Sequence, residues 1–166
     1  MNVTDVQDYL KELKIDGWLL TDFQALNPPA LQILGLDADA HRSRRWFYFI
    51  PKVGAPVKIV HAIESGALDG IPGNVEIYYG RRHMIETLNE VLKARGSVAM
   101  EYSPLCRLPT VSRVDAGTIE MIRGCGPDVV SSGDLLQIFT SRWSAKARES
   151  HYIAANVLRD TVEAAW

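Results

Sequence analysis

The chain has 166 residues, 47% apolar and 23% charged, with a formal net charge of −2. That is enough for one domain burying about two thirds of its unfolded surface, and it lacks both the polarity of a disordered tail and the basic excess of a nucleic-acid binder. The opening MNVTDVQDYLKELK has no basic and apolar signal pattern, WFYFIP is too short to span a bilayer, and Cys106 and Cys125 lie in no metal or redox spacing, so a soluble cytoplasmic protein with free thiols is expected.

Thr4-Asp5-Val6-Gln7 has the spacing of a capping box, and Tyr9, Leu10 and Leu13 continue an apolar face, which predicts a first helix over Asp5 to Lys14. The short apolar GWLLT, Gly17 to Thr21, between Asp16 and Asp22, reads as a buried strand. A long connection follows, in which Pro29 to Leu34 has room for one or two helical turns. Arg45 to Ile50 and Val57 to Ile63 are β-rich runs separated by PKVGAP, and their turn residues predict an antiparallel hairpin.

After SGALDGIPGN the pattern alternates: strand VEIYYG, helix RRHMIETLNEVLKARG, strand SVAMEYS, helix DAGTIEMIRGCG, strand PDVVSS, helix GDLLQIFTSRW. Alternation of that kind implies parallel strands joined by crossover helices, and the hairpin makes the whole sheet mixed. Gly96 and Gly124 stand where helix C-caps are expected. From Ser144 onward no Gly or Pro intervenes, and Ala147, His151, Ala154, Leu158, Val162 and Ala165 recur at helical spacing. This last helix would run roughly 34 Å, and its apolar face needs a partner.

Two His-x-x-Glu pairs stand out, His61 with Glu64 and His83 with Glu86. On a helix, His83 and Glu86 are neighbours, but a metal site needs three or four ligands and no others accompany them, so a solvated helix face is the expectation. In a strand, residue 64 points away from residue 61, and Glu64 reaches His61 only where the strand ends between them. DADAHRSRRWFY lacks the central Gly and terminal Glu of a calcium loop. The basic cluster His41, Arg42, Arg44 and Arg45 beside Trp46 and Tyr48 has the mixture of a single-strand nucleic-acid platform, but the net charge argues against one and the aromatics fit a sheet. Gly124-Cys125-Gly126 lies between helix and strand, the reverse of a dinucleotide loop, and neither cysteine has a histidine nearby in sequence. The residues by themselves define no catalytic constellation.

Taken together, YLKELKIDGWLLTD, RRWFYFIPKVGAPVKIVHAIE, VAMEYSPLCRLPTVSRVDAGTIEMIRGCGPDVVSS and WSAKARESHYIAA resemble the amino-terminal domain of Xaa-Pro peptidases, the creatinase, prolidase and aminopeptidase P family. MEYSP followed by PTVSRVDAG is the most distinctive part; elsewhere the match is mainly one of pattern. The resemblance implies a three-layer α/β/α domain with a mixed sheet and ribonuclease-H-like topology over residues 1–143. Residues 144–166 would then begin the first helix of a pita-bread catalytic domain beyond this sequence, where two divalent metal ions are bound and a metal-bridging water attacks the bond before proline.

On that resemblance no metal ligand and no catalytic residue falls within the chain, and the fragment alone is expected to be inactive. Its role would be to roof the active site over a proline-containing peptide and to support a homodimer, with neither nucleic acid nor membrane as partner. Several relatives carry a Trp near a neighbour's active site in the loop after the third strand. The segment here, HAIESGALDGIPG, has none, leaving His61 and Glu64 as the substrate-proximal candidates. The alternatives are a stand-alone binding or oligomerisation module, or the first domain of a creatinase-like amidinohydrolase. Dipeptidase and aminopeptidase remain equally open.

Overall fold

The structure is a computed structural model describing residues 1–166. Six strands form one mixed sheet in the order β4-β3-β2-β1-β5-β6. They are β1 (Gly17–Asp22), β2 (Trp46–Pro51), β3 (Val57–His61), β4 (Asn74–Tyr78), β5 (Ser97–Met100) and β6 (Asp128–Ser131). The helices are α1 (Val3–Glu12), α2 (Pro28–Leu34), α3 (Arg81–Leu92), α4 (Ala116–Gly124), α5 (Gly133–Thr140) and α6 (Ala145–Ala165). The expected hairpin forms, with β2 antiparallel to β3 and Phe47 opposite Ile59. β2 also runs antiparallel to β1, whereas β1, β5 and β6 are parallel to one another and β3 is parallel to β4.

Two apolar layers clasp the sheet because its central strands are buried at every position and largely apolar. Trp18, Leu20, Trp46, Tyr48 and Ile50 face α1, α2 and α5, where Leu10, Leu31 and Leu135 meet them. Leu19, Phe47, Phe49, Val98 and Met100 face α3 and α4 and pack on Leu88, Leu92, Ile119 and Ile122. Period-two side-chain direction converts a continuous apolar run into two cores, one on each face. The result is the three-layer α/β/α arrangement with a mixed sheet. At Gly17 the layers meet so closely that a Cβ would come within 2.3 Å of the Phe49 ring.

Several boundaries differ from expectation, each for a local reason. Asn2, not the Thr4 box, caps α1, accepting from the Thr4 amide at 3.0 Å, so the helix begins at Val3 and ends at Glu12, before a left-handed Lys14. β3 stops at His61, and Ala62–Glu64 form a 3-10 turn that takes Ile63 out of the strand. Gly96 does not cap α3: the helix ends at Leu92 and the left-handed position falls on Ala94. Gly124 is the last residue of α4, Cys125 is its cap, and Gly126 takes the positive φ. α6 follows an Ser144 cap and buries none of its residues; no helix of the chain is long and apolar enough to cross a membrane.

Candidate functional site

The carboxyl ends of the parallel strands open onto one rim of the sheet, and the loops there gather most of the polar side chains singled out from the sequence. In open α/β sheets this rim is where ligands bind. The 3-10 turn places Glu64 under the connection that leads into β2. One oxygen accepts from the Ser43 amide at 2.9 Å and its hydroxyl at 2.5 Å, and the other from the Arg44 amide at 3.0 Å. Burial favours the neutral acid, but these hydrogen bonds and the nearby His41 outweigh it and hold the Glu64 carboxyl below its ordinary range. Both oxygens are thus engaged by the chain itself.

The strand does end between His61 and Glu64, yet they face different partners. His61 Nδ1 accepts from the Ile63 amide at 3.1 Å, and its ring meets the Tyr78 ring edge-on at 5.0 Å. The Tyr78 hydroxyl donates to the Arg45 carbonyl at 2.5 Å. The Arg45 guanidinium crosses to α4, where it reaches Asp115 Oδ2 at 3.2 Å and the Thr118 hydroxyl, and it lies over the Phe23 ring at 5.6 Å. Asp115 in turn caps α4 through the Thr118 amide. Residues 43–45 are therefore tied to the rim at three points. Arg45 serves as a strut, and Trp46 and Tyr48 are buried sheet residues.

His83 and Glu86 do not form a ligand pair. Glu86 pairs with Arg82 at 2.9 Å, and His83 stacks on Tyr79 with ring centroids 5.6 Å apart. No group of three or more His, Cys, Asp or Glu is placed to hold a metal ion. Cys106 is exposed; Cys125 is half-buried, its thiol raised by burial and set against the Met121 carbonyl. Neither meets a base.

The residue that sequence reasoning passed over is Glu101, the acid of MEYSP. It is fully buried just beyond β5, where Oε1 accepts from Trp18 Nε1 at 2.8 Å and from the Ser132 hydroxyl at 3.1 Å, while Oε2 accepts from Asn27 Nδ2 at 2.8 Å. Its carbonyl accepts from the Arg113 and Val114 amides at 2.9 and 3.0 Å. The carboxyl thus fastens β1, the cap of α2 and the cap of α5, and the backbone carbonyl of the same residue holds the loop running to Asp115. Burial pushes its acidity towards higher pH against the pull of its three donors. The signal was available: a lone Glu inside the apolar run SVAMEYS is a buried polar residue that must be satisfied.

No family model matches the sequence, and no curated protein matches it. The fold does have close counterparts among solved structures. The prolidase from Pyrococcus horikoshii OT3 superimposes over 87% of this chain and 36% of its own, with a TM-score of 0.58 and 18% identity. The creatinase/prolidase N-terminal domain of an X-Pro dipeptidase from Streptococcus pyogenes matches over 81% of this chain and 95% of its own, with a TM-score of 0.59 and 19% identity. For the N-terminal domain of Xaa-Pro dipeptidase from Lactobacillus brevis the figures are 82%, 98%, 0.61 and 11%. This chain accordingly has the fold of creatinase/prolidase N-terminal domains, and it spans about a third of the full-length prolidase it matches.

Proposed function

We propose that this chain is the non-catalytic N-terminal domain of a dimetal Xaa-Pro peptidase, cytoplasmic, roofing an active site whose metal ligands lie in a catalytic domain outside residues 1–166. The observation that carries the reading is the two-way coverage: nearly the whole of the isolated dipeptidase N-terminal domains is accounted for by this chain. The exposed last helix supports it, because Tyr152, Ile153, Val157, Leu158 and Val162 leave an apolar surface that suits the start of a further domain or a second copy. On this reading residues 1–143 are the domain and residues 144–166 lead into the catalytic half.

A roof acts by geometry: it limits the length of peptide admitted and keeps water from the charges that develop during attack. On the rim, His61 retains one ring nitrogen with no partner in the chain, whereas Glu64 is spent on Ser43 and Arg44. We therefore assign His61 the substrate-facing role and Glu64 the role of shaping the loop. The test is to express the complete reading frame and residues 1–166 in parallel and to assay both on Xaa-Pro dipeptides with added divalent cations. Turnover confined to the longer product supports the proposal. Turnover by the 166-residue chain, or a reading frame that stops after Trp166, overturns it.

A further inference from the structure

The outer edge of the sheet offers open backbone between two chemically distinct faces. β4 is the terminal strand, and the Asn74 amide donates to the Pro56 carbonyl at 2.9 Å. Backbone direction alternates along a strand, so residues 74, 76 and 78 turn their N–H and C=O groups towards β3, and those of Val75 and Ile77 point away from the sheet. NVEIY contains no Lys or Pro to deter pairing there.

The strand register fixes what each face of that edge presents. Glu76 stands beside Ile59, whose side chain belongs to the layer under α3. Ile77 stands beside Val60, which belongs to the opposite layer with Leu68. Glu76 and Tyr78 therefore point towards α3, while Val75 and Ile77 point to the other face, where they are 49% and 39% exposed. Lys58, beside Val75 on that apolar face, is folded back onto the Ile71 carbonyl at 2.9 Å. On the α3 face, Glu76, Glu86 and Glu90 line a groove between strand and helix. Arg82 answers Glu86 at 2.9 Å, whereas Glu76 and Glu90, both exposed, have no cation within ion-pair distance. The groove keeps two uncompensated carboxylates.

We propose that β4 accepts an added strand from a protein partner, an extended segment in which Lys or Arg alternates with apolar residues; this inference does not depend on the peptidase reading. Such a strand would lie about 4.8 Å beyond β4 and complete the hydrogen bonds of Val75 and Ile77, its side chains alternating between the two faces. Its basic residues then enter the groove beside Glu76 and Glu90, and its apolar residues cover Val75 and Ile77. The same carboxylates disfavour the edge of another copy of this chain, which would bring a second uncompensated set against the first. Alternation is the specific requirement. A basic segment without it sets charges against Val75 and Ile77, and a wholly apolar one covers Glu76 without giving it a partner.

The test titrates the full 166-residue chain with fluorescein-labelled peptides of sequence KVKVKVK, its block isomer KKKKVVV and the acidic counterpart EVEVEVE, followed by anisotropy. The alternating basic peptide should bind at least about tenfold more tightly than its isomer, and the acidic peptide should not bind. Glu76→Lys combined with Glu90→Lys should reverse the preference to EVEVEVE with unchanged circular dichroism. Hydrogen exchange on the wild-type chain reads the pairing itself, whatever the fate of that variant. The Val75 and Ile77 amides should exchange at least about tenfold more slowly at saturating KVKVKVK, while the Leu88 amide within α3 should not change. Equal affinity for the two basic isomers, unchanged exchange at Val75 and Ile77, or no binding at millimolar peptide would overturn the proposal.

Discussion

Replacing Glu101 with Ala tests how much one buried carboxyl holds the domain together. The substitution leaves Trp18 Nε1 and Asn27 Nδ2 each short of an acceptor in a fully buried site, while the Ser132 hydroxyl is free to rotate elsewhere. Two stranded donors cost about 1–3 kcal/mol each, and the vacated volume adds to that, so a loss of about 3–6 kcal/mol is expected. For a domain of this size that lowers the melting temperature by roughly 6–20 °C, read by circular dichroism. Glu101→Gln keeps one acceptor but turns an amide donor towards another donor, and should cost about 1–3 kcal/mol.

The pH dependence supplies an independent check. Because burial raises the Glu101 pKa above the ordinary 4.5, the folded state holds its proton more tightly than the unfolded chain does. Stability from this group therefore falls as the pH rises from 4.5 towards the folded value. Glu101→Gln removes that slope, so its penalty should shrink as the pH rises through the window. An Ala variant that melts within 2 °C of wild type, or a Gln penalty that grows with pH, would refute the reasoning.

Asp16 behaves in the opposite sense: Lys52 at 2.5 Å, with the Gly96 and Ser97 amides, lowers its pKa to about 2, so its contribution is present above the ordinary 3.8 and is lost as the pH falls towards 2. Asp16→Asn should cost about 1 kcal/mol at pH 7 after solvent screening, and the cost should shrink as the pH falls from 3.8 through 2, measured by urea denaturation. Gly17→Ala should destabilise by about 1–3 kcal/mol, since its Cβ would meet the Phe49 ring; an unchanged urea midpoint would count against the packing described. Asp115→Ala should cost about 1 kcal/mol through loss of the α4 cap, and it frees Arg45, which hydrogen exchange should report as faster opening of the amides of residues 43–45.

The elements that the sequence made legible are those whose residues repeat with a clear period or stop at an unambiguous breaker. GWLLT and WFYFIP are continuous apolar runs too short for helices, and PKVGAP between two β-rich segments admits little but a hairpin. Boundaries were less legible because caps depend on geometry that composition does not encode. Asn2 outcompeted Thr4, and the left-handed turn after α3 fell on Ala94 instead of Gly96, since surrounding contacts can hold a non-glycine residue there.

The candidate site divides along the same line. That His61 and Glu64 stand near the end of a strand was readable from their spacing. That Glu64 spends both oxygens on Ser43 and Arg44, 21 and 20 positions away, was not, because those partners arrive only when β2 and β3 pair. The local sequence determined which segments become strands and helices, through periodicities of two and 3.6 and the conformational limits of Gly and Pro. Tertiary structure alone decided that Glu101 meets Trp18, 83 residues away, and that β4 is left with an open edge. Such contacts depend on strand order, which hydrophobic pattern leaves free and which only the simultaneous burial of both faces of the sheet selects.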